Sequence, residues 1–365
     1  MPSPLDWLES LSPWPEEFGL GRMHALLAAL GEPQRRFRAI HIVGTNGKST
    51  ATRRAAAFLS REGLSVGAYT SPHVSGWAER VQVDGEDADL EQALERVRPA
   101  AERLGATQFE VLTASAFAEF AAAGVEVAVV EAGLGGRLDA TNVLEAEVVA
   151  LTNVALDHTD VLGETREAIA AEKLAVVAPG ATVVLGEPDW EALARAREAG
   201  SIVHAEDVGR AAAGALLGRE LQGDVDTHLP GRFDVVGEDV FAGAHNPAGV
   251  AWLLDRLPRR DYVVVASILA DKDAAAMLAA LSQAGNTLVA TASQSARALP
   301  ADELARAASP HFERVEAVAD PAAALDRASE LAGDDGAVLV TGSLYLLADL
   351  TVRLQRVPWG SSASA

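Results

Sequence analysis

Short apolar runs and helical patterns alternate along the first part of the chain. The runs are rich in Val, Ala and Ile without regular polar positions, which is typical of strands buried on both faces of a parallel sheet. They lie at residues 39–43, 125–130 and 147–154. Residues 5–31 and 50–64 place apolar side chains at helical spacing, with an interruption at Pro13-Trp14-Pro15. The alternation predicts an α/β fold built on a parallel sheet.

A second stretch of the same kind follows a lapse in the pattern around residues 222–232. Its apolar runs lie at Val240–Gly243, Tyr262–Ile268, Leu288–Thr291 and Ala337–Thr341. We therefore predict a parallel-sheet domain with a P-loop-type nucleotide site over residues 1–228, and a smaller Rossmann-like α/β domain over 229–358. The Gly- and Ser-rich end of the chain, 359–365, predicts a disordered tail.

Composition limits the class of protein. At 365 residues with 49% hydrophobic content, the chain is long enough for two globular domains. Its formal net charge of −22 argues against non-specific binding to nucleic acid. We find no apolar run of membrane-spanning length and no secretion signal, so we expect a cytoplasmic protein without a membrane partner. The chain has no cysteine, so any metal ion would use oxygen and imidazole ligands.

Lysine is scarce in this chain. Of the 30 basic residues only Lys48, Lys173 and Lys272 are lysines, and the other 27 are arginines. Lysine is required where a site needs a compact point charge or an amine that can lose its proton, and arginine provides neither. The three lysines are therefore candidates for chemistry, although chance placement is the simpler alternative.

The segment Gly44-Thr45-Asn46-Gly47-Lys48-Ser49-Thr50 joins a predicted strand to a predicted helix. Glycines allow the backbone to approach a phosphate closely, Lys48 can reach the terminal phosphates, and Ser49 or Thr50 can hold Mg²⁺. The spacing departs from the general GxxxxGK[ST] pattern, because Ile42 stands where the first glycine would be. A glycine turn that only caps a helix is the alternative.

Ionisable residues follow two further predicted strands. Glu131 ends one of them, and Asp157-His158 comes shortly after the next. Strand ends on one edge of such a sheet form the ligand crevice, so Glu131 is a candidate Mg²⁺ ligand and His158 a candidate ligand of a second metal ion. A salt bridge from Glu131 to Arg137, and a structural role for His158, are the alternatives.

Several longer strings occur in order along the chain. They are Gly44–Lys48, Thr70-Ser-Pro-His73, Glu131-Ala-Gly-Leu-Gly-Gly-Arg-Leu-Asp-Ala-Thr-Asn142, Leu156-Asp-His158, Glu172-Lys173, Leu229-Pro-Gly-Arg-Phe233, Gly243-Ala-His-Asn-Pro247, Asp271-Lys-Asp273 and Thr341-Gly-Ser-Leu-Tyr345. Together they resemble the folylpolyglutamate synthase/dihydrofolate synthase family, the folate branch of the Mur-type ATP-dependent amide ligases. The resemblance extends from about residue 5 to residue 350.

The resemblance implies a reaction and a division of labour. ATP would phosphorylate a carboxylate of dihydropteroate or of a folate, and the amine of L-glutamate would attack the acyl phosphate to form an amide. The domain over 1–228 would bind ATP and the pterin or folate, and the domain over 229–358 would be the glutamate-ligase domain. The family also implies a monomer.

The resemblance further assigns roles to individual residues. Ser71 and Glu131 would hold one Mg²⁺ ion and His158 a second, with Lys173 reacting with CO₂ to give a carbamate ligand. Lys48, with Lys173, His158 and Glu131, would be catalytic. The nucleotide contacts outside the phosphate loop would be Arg232, His245 and Asn246. The residues matching substrate-binding positions are Ser71, Pro72, His73, Thr107, Phe109, Arg137, Asp139 and Ala140.

Two positions depart from the family pattern. Ser49 stands where the family has a third glycine, as in cell-wall Mur ligases, and this leaves open which of Ser49 and Thr50 binds Mg²⁺. Ala242 stands where the family has an aspartate that contacts the nucleotide. Ala242 is therefore the observation that supports a second alternative, a nucleotide-binding homologue that has lost ligase activity. A cell-wall Mur ligase is the nearer alternative, but only 43 residues precede Gly44, too few for a nucleotide-sugar domain.

Overall fold

The computed structural model of the chain describes residues 2–15 and 17–354. The chain divides into two compact units. The first comprises the chain up to Pro72 together with Gly76–His228, and the second comprises His73–Ser75 together with the chain from Leu229 onwards. The disordered tail predicted at 359–365 lies outside the described residues.

The first unit is built on an eight-stranded sheet in the order β4-β3-β2-β5-β1-β6-β7-β8. The six strands from β2 to β8 in this order pair in parallel, and β3 pairs antiparallel with β2 and with β4. The strands are β1 Arg38–Val43, β2 Val66–Tyr69, β3 Val81–Val83, β4 Glu86–Asp87, β5 Val127–Glu131, β6 Val148–Leu151, β7 Thr182–Leu185 and β8 Ser201–His204. This arrangement confirms the α/β fold with a parallel sheet that the sequence predicts.

Helices cover both faces of this sheet. They are α1 Pro4–Ser10, α2 Gly21–Ala29, α3 Lys48–Arg61, α4 Leu90–Leu104, α5 Gln108–Ala123, α6 Thr159–Leu162, α7 Arg166–Lys173, α8 Glu191–Ala196 and α9 Val208–Leu217. Ile40 and Ile42 of β1 lie in one buried cluster with residues of α3 and α9, whereas Ala39 and Val43 lie in the other. Alternate residues of a strand point to opposite faces, and both faces of β1 are covered, which accounts for the run of buried residues from Ala39 to Val43.

The second unit contains a six-stranded sheet in the order β13-β12-β11-β14-β10-β9, in which only β9 is antiparallel. Its strands are β9 Asp234–Val236, β10 Asp239–Phe241, β11 Val263–Ala266, β12 Thr287–Ala290, β13 Arg314–Ala317 and β14 Val338–Thr341. Its helices are α10 Pro247–Arg256, α11 Ala274–Leu281, α12 Ala301–Ala308, α13 Pro321–Ala332 and α14 Leu344–Leu354. Val74, from the short segment His73–Ser75, lies in a buried cluster with Phe241 and Leu347.

Several predicted boundaries differ by a few residues from those of the structure, and two of the differences have identifiable reasons. The helix predicted from residue 50 begins at Lys48, because Gly47 adopts the left-handed conformation (φ 78°) that caps it. The strand predicted to reach residue 154 ends at Leu151, because the next residues bond to the phosphate loop instead of continuing the sheet. Both corrections lie at the edge where the parallel strands end.

No helix in the part of the chain that the structure describes is long and apolar enough to cross a membrane.

Candidate active site

The predicted phosphate loop, residues 44–50, connects β1 to α3 and has two glycines in unusual backbone conformations. Gly44 has φ 150°, and a Cβ atom at this position would lie 1.9 Å from Oγ1 of Thr152. Gly47 is the N-cap of α3. The N–H groups of the first turn of this helix have no backbone partner within it and point outward along the helix axis. A helix N-terminus of this kind favours an anion such as phosphate. The loop thus joins a strand to a helix N-terminus, and its binding of phosphate stays a prediction.

Two lysines bond to consecutive carbonyls of this loop. Nζ of Lys173 donates to the carbonyl of Gly44 at 2.7 Å, and Nζ of Lys48 donates to the carbonyl of Thr45 at 3.2 Å. Lys48 also lies 4.0 Å from the Glu131 carboxylate. The fold thus brings together two of the three lysines, although 125 residues of sequence separate them.

Lys173 is the more deeply buried of the two lysines. Only 4% of its surface is exposed, and burial lowers the pKa of its ammonium to about 7, helped by the nearby charge of Lys48 and opposed by Asp157 and Asp139. A substantial fraction of this amine is therefore uncharged near neutral pH. An uncharged amine is nucleophilic, whereas an arginine at the same position would stay protonated.

Glu131 ends β5 and is 1% exposed. Its Oε2 accepts a hydrogen bond from the backbone N–H of Ser71 at 3.0 Å, and its Oε1 is the atom that faces Lys48. Arg137, the alternative partner, pairs instead with Glu172 at 2.8 Å. The alternative of a Glu131–Arg137 salt bridge is therefore wrong.

Asp157 and His158 lie at the start of α6. The backbone N–H of His158 donates to Asp157 Oδ1 at 2.9 Å, and His158 has φ 51°, a conformation uncommon outside glycine. Asp157 is buried, whereas 29% of the His158 side chain is exposed. The Asp157 carboxylate raises the pKa of Lys173, so this turn acts electrostatically on that lysine.

Asp139 holds the loop that follows Glu131. It accepts hydrogen bonds from the backbone N–H groups of Leu134 (2.7 Å) and Thr141 (3.0 Å), and from the Thr141 hydroxyl. Burial raises the pKa of Asp139, while these donors oppose the rise by stabilising the carboxylate. The loop packs closely against α7: a Cβ atom at Gly136 would lie 2.7 Å from the Lys173 carbonyl oxygen, so only glycine fits there. Asp139 thus shapes the surface next to Lys173.

His41 is a member of this network that the sequence reasoning missed. It is 1% exposed within β1, and its Nε2 lies 2.8 Å from Oγ1 of Thr141. Thr141 donates its only hydroxyl hydrogen to Asp139, so Nε2 of His41 must carry the proton and donate to Thr141. Burial lowers the pKa of His41 to about 4, which keeps the ring neutral. A histidine within an otherwise apolar strand was the available signal.

Two of the residues matched to a pterin pocket, Phe109 and Ala140, lie at the same loop. The tip of the Phe109 ring lies against Gly133, where a Cβ would be 2.5 Å from Cζ, and the ring packs 6.2 Å from that of Tyr69. Thr107 caps α5 and bonds through its hydroxyl to Glu110 at 2.8 Å, which gives it a structural role. Ala140 is buried beside Asp139. The Thr-x-x-Glu spacing was the sequence signal for this cap.

The oxygen-bearing side chains near Lys48 suit a hard cation such as Mg²⁺. Ser49 is buried directly after Lys48, whereas Thr50 is exposed. The Glu131 carboxylate and the Ser49 hydroxyl are ligands that Mg²⁺ accepts, and this favours Ser49 over Thr50. In the described part of the chain, no three His, Asp or Glu side chains cluster as a ready-made metal site. Further ligands would have to be hydroxyl, phosphate or carbamate oxygens.

The other three predicted nucleotide contacts lie in the second unit. Asn246 is 1% exposed and caps α10 through a 2.8 Å bond from the backbone N–H of Gly249. Nδ1 of His245 lies 2.9 Å from the Gly243 carbonyl, and the backbone N–H of Arg232 donates to the Leu229 carbonyl at 3.3 Å. Ala242 is buried in the apolar core of this unit. The structure thus gives Asn246 a defined local role, and its contact with nucleotide stays a prediction.

Comparisons with known proteins agree with this organisation. Residues 42–205 match the Mur ligase middle domain, and residues 231–344 match the Mur ligase glutamate ligase domain. A probable bifunctional folylpolyglutamate synthase/dihydropteroate synthase of Haloferax volcanii is 34% identical over 91% of this chain. The chain covers only 48% of that protein, so it spans about half the length of this relative.

Two bacterial relatives match along nearly their whole length. The Escherichia coli dihydrofolate synthase/folylpolyglutamate synthase is 30% identical over 94% of this chain and 93% of its own. A structure of Escherichia coli FolC in complex with DHPP and ADP aligns with a TM-score of 0.86 at 28% identity, covering 98% of this chain and 99% of that one. The Mycobacterium tuberculosis folylpolyglutamate synthase complexed with ADP aligns with a TM-score of 0.89 at 30% identity, with the same coverages. The chain therefore belongs to the folylpolyglutamate synthase/dihydrofolate synthase family of Mur ligases.

Proposed function

We propose that this protein is an ATP- and Mg²⁺-dependent ligase that joins L-glutamate to dihydropteroate, to the γ-carboxylate of a folate, or to both. The observation that carries the proposal is the pair of lysines bonded to adjacent carbonyls of the phosphate loop, with Glu131 beside one of them. A site that only bound nucleotide would not need a second, buried lysine whose pKa is lowered to about 7. The names of the relatives support the choice of substrates.

The chemical difficulty is that an anionic carboxylate must approach the anionic γ-phosphate of ATP. Lys48 supplies one positive charge and the N-terminus of α3 supplies oriented N–H donors, both already in position before the substrates arrive. Ser49, Ser71, Glu131 and His158 would hold two Mg²⁺ ions, which supply the remaining positive charge when bound. The glutamate amine would then attack the acyl phosphate and release phosphate.

Lys173 would act as a carbamate rather than as a cation. Its uncharged amine would attack CO₂ and lose a proton, which leaves an anionic –NH–COO⁻ group. The remaining N–H can keep the bond to the Gly44 carbonyl, and the new negative charge would face Lys48. Carbamate formation would convert a costly buried ammonium into an oxygen ligand for a metal ion.

The family also suggests a monomer, which stays a prediction.

The test is ADP release by the purified protein with MgATP and L-glutamate, with dihydropteroate or tetrahydrofolate as acceptor. Release with both acceptors would identify a bifunctional enzyme, and release with one would assign the acceptor. The Lys48→Met variant, which keeps the length of the side chain without its charge, should abolish release. If the wild-type protein binds MgADP but releases no ADP with either acceptor, the ligase proposal is wrong and Ala242 becomes the position to examine.

A further inference from the structure

The segment that follows β6 lies alongside the phosphate loop. The Thr152 hydroxyl donates to the carbonyl of Asn46 at 2.7 Å, and its backbone N–H donates to the carbonyl of Val43 at 3.0 Å. The backbone N–H of Ala155 donates to the Thr45 hydroxyl at 3.1 Å. Residues on both sides of Asn153 are therefore bonded to the loop.

Asn153 makes two bonds to the loop itself. Its backbone carbonyl accepts from the N–H of Thr45 and its side-chain Oδ1 accepts from the N–H of Asn46, each at 2.9 Å. The carbonyl bond uses only the backbone of Asn153, so any residue could make it. The side-chain bond needs a short side chain with an acceptor oxygen. Asn153 therefore occupies two of the loop donors that come before Gly47, those of Thr45 and Asn46.

A second layer of side chains holds this segment from behind. The Glu187 carboxylate accepts from the backbone N–H of Val154 at 3.1 Å, and Nε of Arg166 donates to the Val154 carbonyl at 2.8 Å. Glu187 and Arg166 pair with each other at 3.0 Å, and Trp190 donates to the same carboxylate oxygen. Both backbone groups of the residue next to Asn153 are thus fixed by an ion pair.

We propose that Asn153 is a positioning residue for nucleotide binding, acting through the phosphate loop and supported by the Glu187–Arg166 pair. The inference rests on the proposed function only in that this loop binds phosphate. With the N–H groups of Thr45 and Asn46 held by Asn153, the donors that face phosphate begin at Gly47 and run into α3. A loop fixed before nucleotide arrives loses less conformational freedom on binding.

The experiment compares Asn153→Ala with Asn286→Ala, a surface asparagine of the second unit that pairs with Glu313. Removing the acceptor leaves the Asn46 N–H without its partner, so we expect Asn153→Ala to bind MgADP about 5- to 100-fold more weakly. Its KM for ATP should rise while its KM for the folate acceptor stays unchanged. Amide hydrogen exchange across residues 44–50 should become faster without nucleotide, and Asn286→Ala should match the wild type in all three measurements.

A purely structural role would lower kcat and the melting temperature without changing the balance between the two KM values. Unchanged MgADP affinity and unchanged exchange across 44–50 in Asn153→Ala would overturn the inference, even if its activity falls. The wild-type titration distinguishes this failure from failure of the proposed function, because it needs no ligation. If the wild-type protein does not bind MgADP at all, both proposals fall.

Discussion

The two sheets differ in the polar groups that they bury. In the first unit, groups buried in and just beyond the strands are of ionisable type, as with His41, Glu131 and Asp157. In the second unit the polar groups buried at or just beyond the strand ends are mostly hydroxyls, namely Ser267, Thr291, Ser293, Thr341 and Ser343, together with the amide of Asn246. A buried hydroxyl costs little when it finds a partner, whereas a buried charge costs several kcal/mol unless it is paired.

The difference shows where the chemistry is concentrated. Stability alone would not favour so many buried ionisable groups around one loop, and perturbed groups of this kind gather at functional sites. The hydroxyls of the second unit suit recognition by hydrogen bonds instead. Each unit also has a buried lysine, but that of the second unit, Lys272, lies 3.7 Å from the carboxylate of Asp271. Lys173 bonds to the Gly44 carbonyl instead.

The comparison of the two lysines gives the largest expected effect. Lys173→Arg keeps the positive charge but cannot form a carbamate, so turnover should fall by more than about 100-fold. MgADP binding and the melting temperature should stay near those of the wild type. A small added carboxylate should restore part of the activity of Lys173→Ala, and full activity in Lys173→Arg would refute the carbamate role.

Carbamate formation can also be observed directly. Protein equilibrated with ¹³CO₂ should show a carbamate resonance by NMR that is lost in Lys173→Met and retained in Lys272→Met. The signal should grow as the pH rises through about 7, because CO₂ reacts only with the uncharged amine of Lys173. If the resonance disappears in Lys272→Met instead, the carbamate forms on Lys272 in the second unit, and the assignment to Lys173 is wrong.

His41 should make the free energy of unfolding depend on pH in the acidic range. Its pKa is about 4 in the folded protein against 6.5 in the unfolded chain, so the unfolded state takes up the proton first as the pH falls. The free energy of unfolding should therefore decrease between pH 6.5 and 4, by about 3 kcal/mol in total from this group. His41→Gln keeps an N–H donor without the titration, and urea unfolding across this range should show a shallower loss. An identical slope in both proteins would contradict the assignment.

The smallest expected effect is on the free energy of unfolding, and two buried threonines, one in each unit, allow a matched comparison. Thr141 and Thr341 are both 0% exposed, but Thr141 links His41 to Asp139, whereas the described residues provide no partner for the Thr341 hydroxyl. Thr141→Val should cost about 1–3 kcal/mol of unfolding free energy, since it leaves two buried partners unpaired. Thr341→Val should be neutral within about 0.5 kcal/mol or slightly stabilising. Equal costs in urea unfolding would remove the distinction.

The parts that the sequence could predict are those encoded locally. Lys48 and Glu131 follow directly from a strand that runs into a loop, and the apolar runs predict both sheets. The helix start at Lys48 and the cap at Thr107 are also encoded locally, by Gly47 and by the Thr-x-x-Glu spacing.

The remaining features depend on contacts between distant parts of the chain. His41 and Thr141 are 100 residues apart, and Asn46 and Asn153 are 107 apart. Neither pairing has a periodicity or a motif, because each depends on which strands become neighbours in the sheet. Once β1 lies between β5 and β6, these side chains come within bonding distance. Strand order was therefore the missing information.

The short segment His73–Ser75 has a practical consequence. Val74 is 3% exposed in the core of the second unit, and its carbonyl accepts from the Thr351 hydroxyl at 3.2 Å. A gene fragment that starts at Leu229 would encode every strand of that unit and still lack this side chain, leaving a cavity where it packs. Anyone dissecting this protein for separate expression should therefore carry residues 73–75 along, for example on a designed linker, because a single cut cannot separate the two cores.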